Sequence, residues 1–232
     1  MFREVRVIMR QLYGTLRARM PWLASLLYRS YRQNWLRLWR PRGLQIRSDF
    51  SAVRNIRFDV QGSGHVLELG AWASVDDFRL ILRGNNHRIV LGDDVHIRSG
   101  VLYIEDDGAV LDIGRGSTFE GVAIGMVEPG ARISIGEDCM FSYDVDVRCS
   151  DSHAIYDVDT RQRINPPAPV IIGNHVWVGT RATLLKGARI ADGSIVAATA
   201  TVTRVVDEPN VILAGSPAAI VRRNIYWTRE RS

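Results

Sequence analysis

Aliphatic residues recur along most of this chain at intervals too long for a helix and too regular for an ordinary sheet. Leu69, Leu91, Ile113 and Ile135 are each followed by glycine, and each opens a seven-residue phrase: "LGAWASV", "LGDDVHI", "IGRGSTF" and "IGEDCMF". These anchors lie 22 residues apart every time. The phrase returns as "IGNHVWV" from Ile172 and "IADGSIV" from Ile190, now 18 apart. Its fifth position is always small or β-branched: Ala73, Val95, Ser117, Cys139, Val176 and Ser194. An aliphatic anchor, a tight-turn residue and a small residue describe a short strand, a corner and another short strand, with the small side chain beneath the corner. Three six-residue faces make an 18-residue coil, and the 22-residue repeat is the same coil with four further residues at a corner. Stacked coils pair their strands in parallel about 4.8 Å apart, so about seven coils give a prism roughly 30–35 Å long. The pattern predicts an all-β parallel helix over residues 47–217, with the anchors as one internal ladder. A sandwich offers no reason for identical intervals.

The beat fails once. From Ile135 to Ile172 is 37 residues, and the intervening "CSDSHAIYDVDTRQRINPP" contains no matching anchor. A polar loop over residues 149–168, projecting from a coil corner and centred on His153, is the expectation.

Two segments, "IGNHVWVGTRATLLKGARIADGSIVAATATVTRVV" and "ILAGSPAAIVRR", resemble the hexapeptide-repeat acyltransferases, the left-handed parallel β-helix family that includes galactoside and serine acetyltransferases. Within it, "DSHAIYD" followed by "GNHVWVG" is most similar to bacterial O-acetyltransferases of capsule, exopolysaccharide or lipopolysaccharide sugars. The left hand comes from the resemblance, since periodicity is silent on it and the usual crossover rule favours the other hand. The resemblance implies a homotrimer with active sites between subunits, acetyl-CoA as cosubstrate and a sugar hydroxyl as acceptor. It places the general base on His153, a role imidazole suits because its ordinary pKa near 6.5 leaves the neutral form available. Asp151 or Asp157 is positioned to orient that ring, and spacing does not choose between them. An oxyanion donor is expected from a backbone N–H of the groove.

For the coenzyme, the resemblance puts Trp177 beside the reacting end of the groove. Gly179, Thr180 and Ala198 then line an edge where short side chains let pantetheine amides meet backbone. Thr203 and Arg204 lie beyond, Pro217 turns the chain off the prism, and Arg222 is expected to meet phosphate. Ala219 stands where many relatives carry a cation, which leaves that contact missing or supplied by Arg223. The asparagine that assists the histidine in several sugar acetyltransferases has no counterpart in "STFEGVAIGMV".

The other histidines weigh less. His65 and His87, 22 apart, should share a column as paired surface residues. His175 reads as a corner residue, and His96 has no evident partner. A zinc site, as in the γ-class carbonic anhydrases of this fold, needs three converging histidines at a spacing that the chain lacks, so no metal is expected.

Charge adds an appendage. The net charge is +5, yet residues 1–42 hold ten arginines and one acid, which is +9, so the remainder carries 5 − 9 = −4. Leu23, Leu27, Tyr31, Trp35 and Leu38 share a helical face, so residues 1–46 are expected to form a basic amphipathic extension that either lies on an anionic membrane surface or caps the first coil. Residues 218–232 should form a short C-terminal helix or tail. Arginines outnumber lysines 29 to 1, which says little about phosphate recognition, and no nucleic-acid module accompanies the charge. Two cysteines fit neither a disulfide framework nor a metal site, and no apolar run approaches a membrane span. The expected location is the cytoplasm, with peripheral contact at the inner face of the bacterial cytoplasmic membrane left open. N-acylation of an amino sugar and a non-catalytic scaffold are the alternatives to O-acetyl transfer.

Overall fold

The computed structural model describes residues 41–48 and 50–230, with scattered positions between 12 and 23. The predicted amphipathic extension and its membrane or capping contact lie outside the described residues. The chain divides into two compact units, Met1–Trp39 and Arg40–Ser232, and the account below concerns the second.

That unit is the parallel β-helix which the beat predicts, starting at Leu44 rather than at residue 47. One face is a column of eight parallel strands from Leu44–Ser48 to Val205–Val206. Along it Leu69, Leu91, Ile113, Ile135, Ile172 and Ile190 stand opposite one another in register. All six are at most 4% exposed. Each such side chain removed from water contributes about 1.5–3 kcal/mol, which is why the spacing survives coil after coil. The second face stacks His96–Ile97, Thr118–Phe119, Met140–Phe141, Trp177–Val178 and Ile195–Val196. The third stacks Gly100–Ile104, Val122–Met126, Val145–Arg148, Thr183–Leu184 and Thr201–Val202. The four extra residues of the longer coils lengthen this third face and the corner after it: its strands shrink from five residues to two where the repeat shortens.

The fifth positions are buried under the corner between the first and second faces. Two of them are polar, and the corner satisfies them. Ser117 Oγ donates to the Gly136 carbonyl at 2.8 Å and accepts from the Cys139 amide at 3.0 Å. At the same corner Asp94, Asp138 and His175 occupy the left-handed region, with φ of 58°, 54° and 52°. Short polar side chains tolerate this conformation by bonding locally. His175 follows suit, its Nδ1 lying 2.7 Å from Asp138 Oδ2 one coil below. His96 also has a partner, Ser74 Oγ at 2.7 Å from its Nδ1, which corrects the sequence reading.

His65 and His87 are paired as expected but are not surface residues: they are 1% and 0% exposed, stacked at 4.7 Å. Each ring faces a carbonyl through Nε2, Gln61 at 3.2 Å and Arg83 at 2.6 Å, and accepts an amide of the next coil through Nδ1. Both rings therefore fit as neutral Nε2–H tautomers. Burial depresses the pKa of His87 below its ordinary 6.5. The unfolded chain then binds more protons than the folded one once the pH falls below about 6.5, so stability is lost as pH drops towards the folded value. Thermal unfolding followed from pH 7.5 to 5 should show a falling Tm, and His87→Ala, which matches Ala109 and Ala131 in the next coils, should flatten that slope. An equal slope in the variant would assign the acid sensitivity elsewhere.

The C-terminus differs from the expected helix. Ala218–Arg222 is a strand that doubles back antiparallel on Ile212–Gly215, so Pro217 turns the chain onto the last coil rather than away from it. Residues 223–230 contain no helix and run down the outside of the second face. The Ile225 amide bonds the Asn210 carbonyl at 3.0 Å. The indole of Trp227 stacks on His175 at 4.0 Å and donates to the His175 carbonyl. Arg229 reaches Asp138, Thr118 and the Cys139 carbonyl, all within 2.9 Å. This strap joins residues separated by up to 113 positions in sequence.

Candidate functional site

The loop leaves the third face after Arg148 and rejoins the first at Val170. It is built as a small hairpin. Tyr156 bridges Arg163 in antiparallel fashion, and the Ile164 amide bonds the Ile155 carbonyl. Asp157 shapes the tip by accepting the amides of Asp159 and Thr160 and the Thr160 hydroxyl. Its carboxylate therefore serves the turn. Arg163 ties the hairpin to the preceding coil through two bonds to Glu128 of 2.6 and 2.7 Å, and this holds the Glu128 carboxyl below the usual carboxylate range.

His153 stands on this loop with an exposed side chain. Asp151 does not turn to it. Its Oδ2 accepts Lys186 Nζ at 2.5 Å and Asn165 Nδ2 at 2.8 Å. The Lys186 ammonium, helped by that amide, keeps the Asp151 carboxyl below its ordinary value. Lys186, the single lysine, occupies the same corner one coil on, so the ion pair fastens the root of the loop to the next layer.

The coenzyme candidates fall elsewhere on the prism. Gly179 and Thr180 share the corner between the second and third faces with Ala198, one coil above. There a Cβ on Gly179 would lie 2.6 Å from the Ala198 nitrogen, so only glycine permits the coils to close. The Thr199 amide bonds the Thr180 carbonyl at 2.9 Å and ties the two coils together at this edge. Ala198 is exposed, as are Thr203 and Arg204, which lie at the following corner, the one that carries the loop. Trp177 projects from the second face, 36% exposed, with its ring 6.0 Å from that of Trp227. Arg222 is exposed on the final strand opposite Ile212, and Arg223 is paired with Glu208 at 3.0 Å.

One chain therefore brings His153, Lys186, Thr203 and Arg204 to one corner, and Gly179, Thr180 and Ala198 to another. A face separates them, on the order of 15 Å for about five extended residues. Both cysteines are buried, and burial pushes each thiol up to about 11, so neither is a nucleophile for a covalent acyl intermediate. Among the described residues no group of His, Cys, Asp or Glu is arranged to hold a metal, and no helix is long and apolar enough to cross a membrane.

Sequence reasoning missed Asn165, Arg163, Trp227 and Arg229. Burial of Asn165 inside a polar loop leaves no periodic trace, and the residues of the strap follow the last repeat.

The family described as "Bacterial transferase hexapeptide (six repeats)" matches residues 169–204. The polysialic acid O-acetyltransferase of Neisseria meningitidis is 35% identical over 183 residues, 79% of this chain and 84% of that protein. The solved polysialic acid O-acetyltransferase OatWY is similar with a TM-score of 0.75 at 31% identity, covering 82% of this chain and 90% of that one. NeuO, a polySia-specific acetyltransferase, gives 0.64 at 28% identity over 81% and 79% of the two chains.

Proposed function

The chain belongs to the hexapeptide-repeat O-acetyltransferases, and from that membership we propose that it moves the acetyl group of acetyl-CoA to a sugar hydroxyl of a bacterial surface glycan, with a polysialic acid-type capsule polymer as the acceptor. The observation that carries this reading is the extent of the likeness, 35% identity over 183 residues of this chain and 84% of that protein, with a TM-score of 0.75 to the solved OatWY.

His153 takes the proton from the acceptor hydroxyl, whose oxygen then bonds the thioester carbonyl carbon. A backbone N–H of the groove holds the resulting oxyanion. As the intermediate collapses, the C–S bond breaks and the imidazolium returns its proton to the departing sulfur. Trp177 flanks the thioester, and the edge of Gly179, Thr180 and Ala198 receives the pantetheine arm. Thr203, Arg204 and Arg222 face the phosphorylated end. Because the loop corner and the Gly179 edge of one chain are a face apart, the working site forms between copies, which fits a homotrimer. Exposed Ile155, Tyr156, Val158 and Ile164 give the hairpin an apolar surface for such a contact. The enzyme works in the cytoplasm, where acetyl-CoA is present.

Incubating the protein with acetyl-CoA and polysialic acid should release CoA thiol only when the acceptor is present, and mild alkali should strip the acetyl label from the polymer. Esters hydrolyse readily and amides persist, so an alkali-stable label would replace O- by N-acetylation. No acceptor-dependent thiol release with any surface glycan would leave a scaffold as the reading.

A further inference from the structure

Asn165 lies twelve residues after His153, yet its side chain bonds the backbone of His153 and Ile155 and the carboxylate of Asp151. It is 7% exposed in a loop that is otherwise largely solvent-facing. Its Nδ2 donates to the His153 carbonyl and to Asp151 Oδ2, both at 2.8 Å. Its Oδ1 accepts the Ile155 amide at 2.6 Å and Arg163 Nε at 3.3 Å. Two acceptors face the nitrogen and two donors face the oxygen, so only one orientation of the amide fits. The His153 amide in turn donates to the Asp151 carbonyl at 2.8 Å. Both backbone groups of His153 are thus tied down, one through Asp151 and one through Asn165. Lys186 anchors Asp151 from the next coil, and Arg163 carries Asn165 to Glu128. The ring remains outside this clamp, free to meet substrate.

We propose that Asn165, backed by Asp151 and Lys186, is a positioning residue that fixes the direction in which the His153 imidazole leaves the loop; the inference rests on His153 being the general base. Such a residue acts on the chemical step and not on coenzyme binding, because its side chain bonds loop residues and none of the coenzyme candidates. Misplacing a reacting group by about an ångström costs on the order of 10²-fold in rate.

The test is a double-mutant cycle on the full chain with acetyl-CoA and polysialic acid, with thermal unfolding recorded for every variant. Asn165→Ala should lower kcat about 10²-fold with the KM for acetyl-CoA unchanged. Lys186→Met, which leaves the buried amide intact, should show the same pattern with a smaller loss. In a His153→Ala background, Asn165→Ala should cause no further fall, because the group it positions is gone. A merely structural residue would lower the residual rate by the same factor in either background. Multiplying losses, a rise in KM matching the fall in kcat, or unchanged kcat in both single variants would overturn the proposal. Full turnover of His153→Ala alone would overturn the base assignment with it, which separates that failure from the failure of the clamp.

Discussion

His153→Ala is expected to lower kcat by roughly 10³-fold, within the range that positioned general bases contribute. The imidazole is exposed and carries none of the bonds that hold the hairpin, so fold, thermal midpoint and acetyl-CoA affinity should stay at the parent's values. Activity that survives at the parent level would remove the base from this loop. The same variant tests where the site lies. Co-expressed with a Trp177→Ala chain, it should regain turnover above that of either variant alone, since some contacts between copies would then join an intact histidine to an intact tryptophan. Turnover no higher than the single variants would place the site within one chain.

The second large effect concerns stability. Phe141 is fully buried and packs on Phe119 one coil below, with ring centroids 4.5 Å apart and the planes tilted by 31°. Coils of a solenoid touch only their neighbours, so a void between two of them has little surrounding structure able to collapse into it. Phe141→Ala should cost about 3–5 kcal/mol, and the thermal midpoint should fall by on the order of 10 °C. Phe141→Leu should recover most of the loss. A shift below about 3 °C would show that the stack relaxes to fill the space.

These two expectations rest on different kinds of information. Phe119 and Phe141 each stand two residues after a fifth-position residue, so the repeat marks both as inward-facing before any coordinates are known. His153 was conspicuous for the opposite reason, as the centre of the one stretch without an anchor. Its surroundings were not legible. Asp151 or Asp157 was the expected partner of the imidazole; Asp151 binds Lys186, 35 residues on, because the coil geometry puts that lysine at the root of the loop, and Asp157 caps the hairpin turn. His65 and His87 were correctly paired by their interval but misjudged as exposed, since an interval gives a column and not the side of the wall on which it lies.

The repeat is a local pattern imposed on every coil by the same need to bury one aliphatic ladder, and so the linear order of residues alone determined the β-helix, the lengths of its coils, the place of its interruption and the histidine within it. Contacts that occur once leave no such imprint. The clamp of Asn165 on His153, the strap from Trp227 to Arg229, the doubled-back final strand and the separation of the loop corner from the Gly179 edge were decided by tertiary structure, where stacking brings together side chains that no interval in the sequence relates.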